Sequence, residues 1–194
     1  VPVVEIHLIE GYPAEVKSRL ATALTQAVRV VVPAPPEAVT VLMHDLPASD
    51  YYRGGSPRKP ADALPDPAEL VRAYLAAMEA RDLDKARAMQ GDGFVMVFPG
   101  TPPMTRLEEL LDWAAPRYRF VTKRYAGFDT APGPEAAVVY ARGTLEGEWP
   151  DGTAFAGIRF IDRFEVTQGR ITRQDVWNDI AETRASERTP DGRD

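Results

Sequence analysis

Between Gly54 and Pro65 the chain runs Gly54-Gly55-Ser56-Pro57-Arg58-Lys59-Pro60 and on through Ala61 to Pro65, a stretch in which neither helical nor strand periodicity survives. A single hydrophobic core is hard to thread through such a segment, so the 194 residues are expected to form two units. The expected boundaries are 1–55, a linker at 56–65, a second unit at 66–183 and a flexible polar tail at 184–194. Charge divides at the same place. Residues 1–60 hold six acidic and six basic side chains, so the net charge of -6 resides in the remainder of the chain.

The residue types present exclude several kinds of chemistry. There is no cysteine, which removes disulfide scaffolds, cysteine zinc sites, iron–sulfur clusters and thiol catalysis. His7 and His44 are the two imidazoles, a poor supply for a metal site or a Ser-His-Asp triad, and neither a phosphate loop nor a nucleotide fingerprint is present. No cofactor and no metal are expected. An acidic chain whose largest cationic cluster is Pro57-Arg58-Lys59 does not suit a nucleic-acid partner. No apolar run approaches the ~20 residues of a membrane span, and residues 1–15 lack the features of a signal peptide, so a cytoplasmic protein without a membrane partner is expected.

In the first unit, Val3-Val4-Glu5-Ile6-His7-Leu8-Ile9 is β-branched and almost continuously apolar, as in a strand buried on both faces, where His7 would be a hydrogen-bonded core residue. From Pro13, Val16, Leu20, Leu24, Ala27, Val28 and Val31 recur at helical spacing until Pro33, and Val39-Thr40-Val41-Leu42-Met43 follows as a second strand. Strand, helix and strand predict a right-handed β-α-β crossover with parallel strands. So small a unit buries only about 60% of its surface alone, so a homo-oligomer is expected.

The pieces Pro2-Val3-Val4-Glu5-Ile6-His7-Leu8-Ile9-Glu10-Gly11, Lys17, Leu20, Ala34-Pro35 and Gly54-Gly55 resemble the 4-oxalocrotonate tautomerase family over about residues 2–55. That resemblance implies an N-terminal Pro2 whose secondary amine shuttles a proton, within an oligomer. An α-amino group titrates near ~7.7–8.0, and desolvation lowers it further, so such an amine suits general-base work at neutral pH. Val1 precedes Pro2 here, and an acylated proline nitrogen has no useful basicity. Val1 is therefore expected to be a GTG start codon read literally, the initiator being removed to expose Pro2; 19 arginines against four lysines suit GC-rich coding. The positions of the family's two carboxylate-binding arginines are held by Tyr12 and Thr40, which points away from a dicarboxylate. Tyr51 takes the place of its aromatic wall, and Arg53 is placed to supply the missing positive charge. Tyr12, Tyr51 and Arg53 are open to either reading, pocket lining or subunit packing.

The second unit opens with Asp66-Pro67-Ala68-Glu69, a capped helix start, and Leu70, Val71, Tyr74, Leu75 and Met78 make one apolar face. A short helix near Leu83–Met89, a strand Phe94–Phe98 and a helix opened by a Thr105–Glu108 capping box come next. Four strand-like stretches near 118–129, 135–148, 153–167 and 170–180 complete the unit, with turns at Pro132-Gly133, Pro150-Asp151-Gly152 and Gln168-Gly169. Helices followed by a strand meander read as α+β. The expected architecture is thus an N-terminal β-α-β unit followed by helices packed on a curved antiparallel sheet.

Leu70-Val71-Arg72-Ala73-Tyr74-Leu75-Ala76-Ala77, Asp82-Leu83-Asp84, Ile161-Asp162-Arg163-Phe164 and Gly169-Arg170-Ile171 resemble the SnoaL-like polyketide cyclase and ketosteroid isomerase superfamily, also called nuclear transport factor 2-like, over about 66–183. The resemblance implies a cone-shaped fold with an internal pocket. It also assigns Tyr74 and Asp162 to the isomerase's oxyanion tyrosine and protonated oxyanion aspartate. Phe98 stands where that enzyme has its base. An aspartate in this role needs an apolar pocket that raises its pKa. With Gln168-Gly169 as the turn, the face carrying Asp162 also carries Ile158, Phe160 and Phe164, and Asp175 and Trp177 fall opposite on the partner strand. Asp175 is then a replacement base, and Phe98, Trp113 and Trp177 are candidate pocket walls. The plain structural alternative pairs Asp162 with Arg173 or Arg159 and leaves Tyr74 as core.

Together these readings predict a cofactor-independent keto-enol tautomerase or cyclase for a small hydrophobic carbonyl compound, of the kind found in polyketide-like secondary metabolism, with Pro2 as general base. The alternative is a non-catalytic binding protein for small ligands, in which the first unit is an oligomerisation scaffold.

Overall fold

The computed structural model describes residues 1–188, and the end of the expected tail, 189–194, lies outside them. The chain forms two compact units, Val1–Ala63 and the remainder from Leu64. Mixed α+β architecture holds in both, as expected.

In the first unit, β1 (Val3–Ile9) and β2 (Thr40–Leu46) pair in parallel from Val3↔Thr40 to Ile9↔Leu46, and α1 (Ala14–Val31) makes the crossover. Along β1, half-buried Val4, Ile6 and Leu8 alternate with exposed Val3, Glu5 and His7. One sheet face is thus covered and the other open, whereas the sequence predicted burial on both. Within a single chain His7 is accordingly exposed, not the core residue expected. Its ring stacks on that of His44 with centroids 4.9 Å apart, and Glu5 Oε1 lies 2.9 Å from His44 Nε2 on the same open face. Among the described residues of this unit no side chain is fully buried, and Val3 and Leu42 are 60% and 45% exposed.

The segment read as linker begins inside a hairpin. The two-residue strands β3 (Tyr52–Arg53) and β4 (Ser56–Pro57) flank Gly54 and Gly55, at φ 59° and 76°. Two successive left-handed residues make the mirror-image turn that fits strand twist, and glycine adopts it without strain. The Gly-Gly pair was therefore a hairpin signal, and the first unit extends past residue 55.

In the second unit, α2 (Pro67–Glu79) is capped by Asp66, whose Oδ1 accepts from the backbone of Ala68 at 2.9 Å, and it buries Val71, Tyr74, Leu75 and Ala77. After α3 (Leu83–Ala88), β5 (Gln90–Val97) starts four residues before the expected Phe94. Next come α4 (Leu107–Ala114), β6 (Phe120–Pro132), β7 (Ala137–Glu148), β8 (Ala154–Thr167) and β9 (Arg170–Asn178). The capping carboxylate of α4 is Glu109, not Glu108: Glu109 Oε2 accepts from the backbone of Thr105 at 2.9 Å, while Glu108 is drawn off to Arg87. The sheet order is β5-β9-β8-β7-β6, antiparallel except for the parallel pair β5–β9.

Register breaks between Tyr125 and Gly127, between Leu145 and Gly147, and between Glu165 and Val166 bend this sheet around the helices. The core lies between, with Tyr74, Met96, Leu107 and Phe164 buried in one cluster and Trp149, Phe155, Ile158 and Phe160 in a second. A nine-residue helix closes the unit: α5 (Ile180–Arg188) occupies the start of the segment expected to be a flexible tail. Asn178 Oδ1 accepts from the backbone of Ile180 at 3.2 Å, and the Arg184 guanidinium sits 4.5 Å above the Trp149 ring. Those contacts give a polar sequence a reason to stay helical.

Candidate active site

Alternation along β8 turns Ile158, Phe160, Asp162, Phe164 and Val166 to the interior, all of them buried. Asp162 is fully buried, a carboxyl group in a row of hydrocarbon. It borders a cleft of about 370 Å³, open mouth included. Phe98, Trp113, Tyr118 and Phe160 form its aromatic wall, and Val121, Leu145, Val176 and Ile180 its aliphatic one. Lys123 and Asn178 are the other polar residues on the lining.

Lys123 was missed by sequence reading. It projects from the inward face of β6, its Nζ bonded to Asp162 Oδ2 and 4.7 Å from the Phe160 ring centroid. Gln174 Nε2 also donates to Asp162 Oδ2, at 3.4 Å. Asp162 Oδ1 is buried and has no hydrogen-bond partner among the described residues. Burial pushes the Asp162 carboxyl above the usual aspartate range, against the opposing pull of Lys123 and Gln174. The expected partners Arg173 and Arg159 are engaged elsewhere, with Asp175 and Asp179.

Tyr74 is fully buried and lies behind the cleft rather than on its lining. Its hydroxyl accepts from Gln90 Nε2 and donates to Gln174 Oε1, both at 3.5 Å, so its hydrogen-bond link to Asp162 runs through the Gln174 amide. Burial raises its phenol pKa. The phenol that does line the cleft is Tyr118, whose pKa burial also raises.

Asp175 and Trp177 are not where the turn alone would place them. The hairpin does turn at Gln168-Gly169, pairing Thr167 with Arg170 and Val166 with Ile171. Continued without interruption, that register sets Asp175 opposite Asp162. Thr172 is an extra residue in β9, and beyond it Glu165 pairs with Arg173 and Asp162 with Val176. One added residue reverses the face of everything after it. Gln174 and Val176 therefore turn inward. Asp175 lies on the outer face, held by Arg173 Nε at 2.8 Å and Arg163 Nη1 at 3.3 Å, and Trp177 pairs with Ile161 and is 53% exposed.

Phe98 follows β5, and its ring lies 5.4 Å from that of Trp113. The Trp113 ring carries the Arg117 guanidinium at 4.1 Å, while its buried Nε1 has no acceptor among the described residues. In the first unit, the backbone N–H of Thr40 donates to the carbonyl of Pro2 at 3.0 Å, which sets the two residues side by side at the start of the strand pair. Tyr12 and Tyr51 are half-buried, and Tyr51 Oη accepts from Arg53 at 3.3 Å, so Tyr51 and Arg53 do form one cluster. Among the described residues no group of three or more His, Asp and Glu side chains is arranged to hold a metal ion, and no helix is long and apolar enough to cross a membrane.

The family model described as Tautomerase enzyme matches residues 2–59, and that described as SnoaL-like domain matches residues 71–174. A probable tautomerase of Streptococcus mutans is 41% identical over 58 residues, 30% of this chain and 95% of that protein. An NTF2-like protein from Burkholderia thailandensis superposes with a TM-score of 0.53 at 16% identity, covering 65% of this chain and 100% of its own. An NTF2-like protein of unknown function from Burkholderia pseudomallei does so with 0.51 at 16%, covering 59% and 92%. At such identity the two structures establish a shared fold.

Proposed function

The chain belongs to the SnoaL-like domain family and carries a Tautomerase enzyme domain ahead of it, and on that premise we propose that it is a cofactor-independent isomerase or cyclase of small, hydrophobic, enolisable carbonyl compounds. Both families support an isomerase or a cyclase. Asp162 carries the finer reading: a fully buried carboxyl bordering a largely apolar cleft, fixed through one oxygen by Lys123 and Gln174, its other oxygen without a hydrogen-bond partner among the described residues. With its pKa raised, it donates a hydrogen bond to an oxygen that gains charge on enolisation, and the apolar walls strengthen that bond by excluding water.

The first unit contributes Pro2. With Pro2 as the terminus, its secondary amine takes the proton from the enol oxygen and returns one to carbon, leaving amine and atoms balanced. Arg53, beside Tyr51, supplies the cation that Tyr12 and Thr40 lack, and further copies of the chain complete the unit. The substrate belongs to polyketide-like metabolism, and the protein works in the cytoplasm.

Ketonisation of phenylenolpyruvate by the wild type, Pro2→Ala and Asp162→Asn tests this, with intact mass first establishing that the chain begins at Pro2. Pro2→Ala is expected to lose about 10²-fold or more, the usual weight of a general base, while Asp162→Asn leaves this small enol unaffected and loses turnover of substrates bound in the cleft. A chain that retains Val1, or equal rates in all three proteins, removes the proposal. One observation favours the non-catalytic alternative: Phe98 lines the cleft where the isomerase family has its base. Equal rates would make that alternative, a ligand-binding cleft on an oligomerisation scaffold, the better reading.

A further inference from the structure

Two buried side-chain atoms among the described residues lack a hydrogen-bond partner, Trp113 Nε1 and Asp162 Oδ1, and both residues border the same cleft. Buried polar atoms left unsatisfied are costly, and native chains pair nearly all of them. Two such atoms, each on a residue that borders one largely apolar cleft, therefore mark groups that an occupant of the cleft can satisfy. Their chemistry differs. An indole N–H only donates, so it needs an acceptor oxygen, whereas a carboxyl oxygen accepts when ionised and donates when protonated. A hydroxyl group meets the second requirement in either state, and a carbonyl meets the first.

The orientation of both groups is set from outside the cleft. Lys123 and Gln174 hold Asp162 through Oδ2, which leaves Oδ1 for the occupant. Phe98 and the Arg117 guanidinium pack against the Trp113 ring, so the indole edge is fixed as well. Resting on the reading of this cleft as the substrate site, we propose that Trp113 and Asp162 form a two-point specificity pair for a ring-bearing hydroxy-carbonyl compound, with Trp113 Nε1 donating to the carbonyl oxygen and Asp162 Oδ1 bonded to the enol or phenol hydroxyl. Phe160, Val121, Leu145 and Val176 receive the ring. Tyr74, the phenol implied by family resemblance, has no part in this contact, because its hydroxyl is used by the two glutamines.

Calorimetric titration of the intact chain with phenol, acetophenone and the three hydroxyacetophenone isomers tests the pair. At least one isomer is expected to bind about tenfold more tightly than either single-group probe, each buried hydrogen bond adding to affinity. Trp113→Phe should weaken acetophenone and that isomer while leaving phenol unchanged, and Asp162→Asn should weaken phenol and the isomer while leaving acetophenone unchanged. Circular dichroism and the thermal midpoint show whether each variant is folded, and Trp113→Phe keeps the assay decisive if Asp162→Asn is not. The proposal is overturned if no isomer exceeds the single-group probes, if no probe binds at millimolar concentration, or if folded Trp113→Phe weakens phenol as much as acetophenone. Proline-dependent ketonisation that persists alongside such a result would leave the proposed isomerase standing without this specificity pair.

Discussion

Burial and a neighbouring cation act on Asp162 in opposite senses, and burial prevails. The folded chain holds the Asp162 proton above the ordinary value of ~3.9 that the unfolded chain keeps. Between those two values the folded state binds more protons, so this group's contribution to stability is greatest below the unfolded value and is lost as pH rises through the folded one. Urea unfolding across that range should show a decline in the wild type that Asp162→Asn lacks. Lys123→Met, which removes a charge that lowers the Asp162 pKa, should carry the decline to higher pH; a profile identical to the wild type would mean that Lys123 does not act on this carboxyl. Asp175 has a different set of neighbours. With two guanidiniums around it on the outer face, it is spoken for as an ion-pair partner and leaves the inward position to Gln174.

Strand parity made Asp162 legible, because hydrophobic residues on both sides of it along β8 left no doubt about which way it turned. The same reasoning misplaced Asp175 and Trp177, since parity counts from a turn and a bulge resets the count. Thr172 carries no glycine or proline to announce that bulge, and its hydroxyl lies 3.3 Å from that of Thr167 across the hairpin. Lys123 was readable in principle as an isolated cation between Val121 and Tyr125 on an inward face, but its partner lies two strands away and no local pattern names it. A second bulge shows what such irregularities demand of a neighbouring strand. Where β6 breaks register after Tyr125, its backbone presses onto β7, and a Cβ on Gly143 would fall 1.9 Å from the Arg124 carbonyl oxygen. Gly143→Ala is therefore expected to cost about 1–3 kcal/mol, as overpacking does, measured by chemical denaturation; a neutral result would show that β6 can retreat without loss.

The two units differ in what they can bury. The SnoaL-like unit has aromatic and aliphatic clusters with residues such as Val71, Tyr74, Met96 and Phe164 close to fully enclosed, whereas the tautomerase-like unit encloses none among its described residues and leaves Val3 and Leu42 on an open sheet face. That contrast supports the proposed assembly through the first unit, with Leu42 at its seam. Leu42→Arg should lower the molar mass in solution, read by light scattering, without disturbing the near-ultraviolet signature of the aromatic cleft; an unchanged mass would place the seam elsewhere. The missing core has a further consequence for how the chain melts. A unit that completes its interior only with other copies folds by a reaction of higher order in protein, so its midpoint should fall on dilution. A unit that encloses its own core melts at a temperature indifferent to dilution, and one chain would then carry one transition that reports its own abundance beside another that does not.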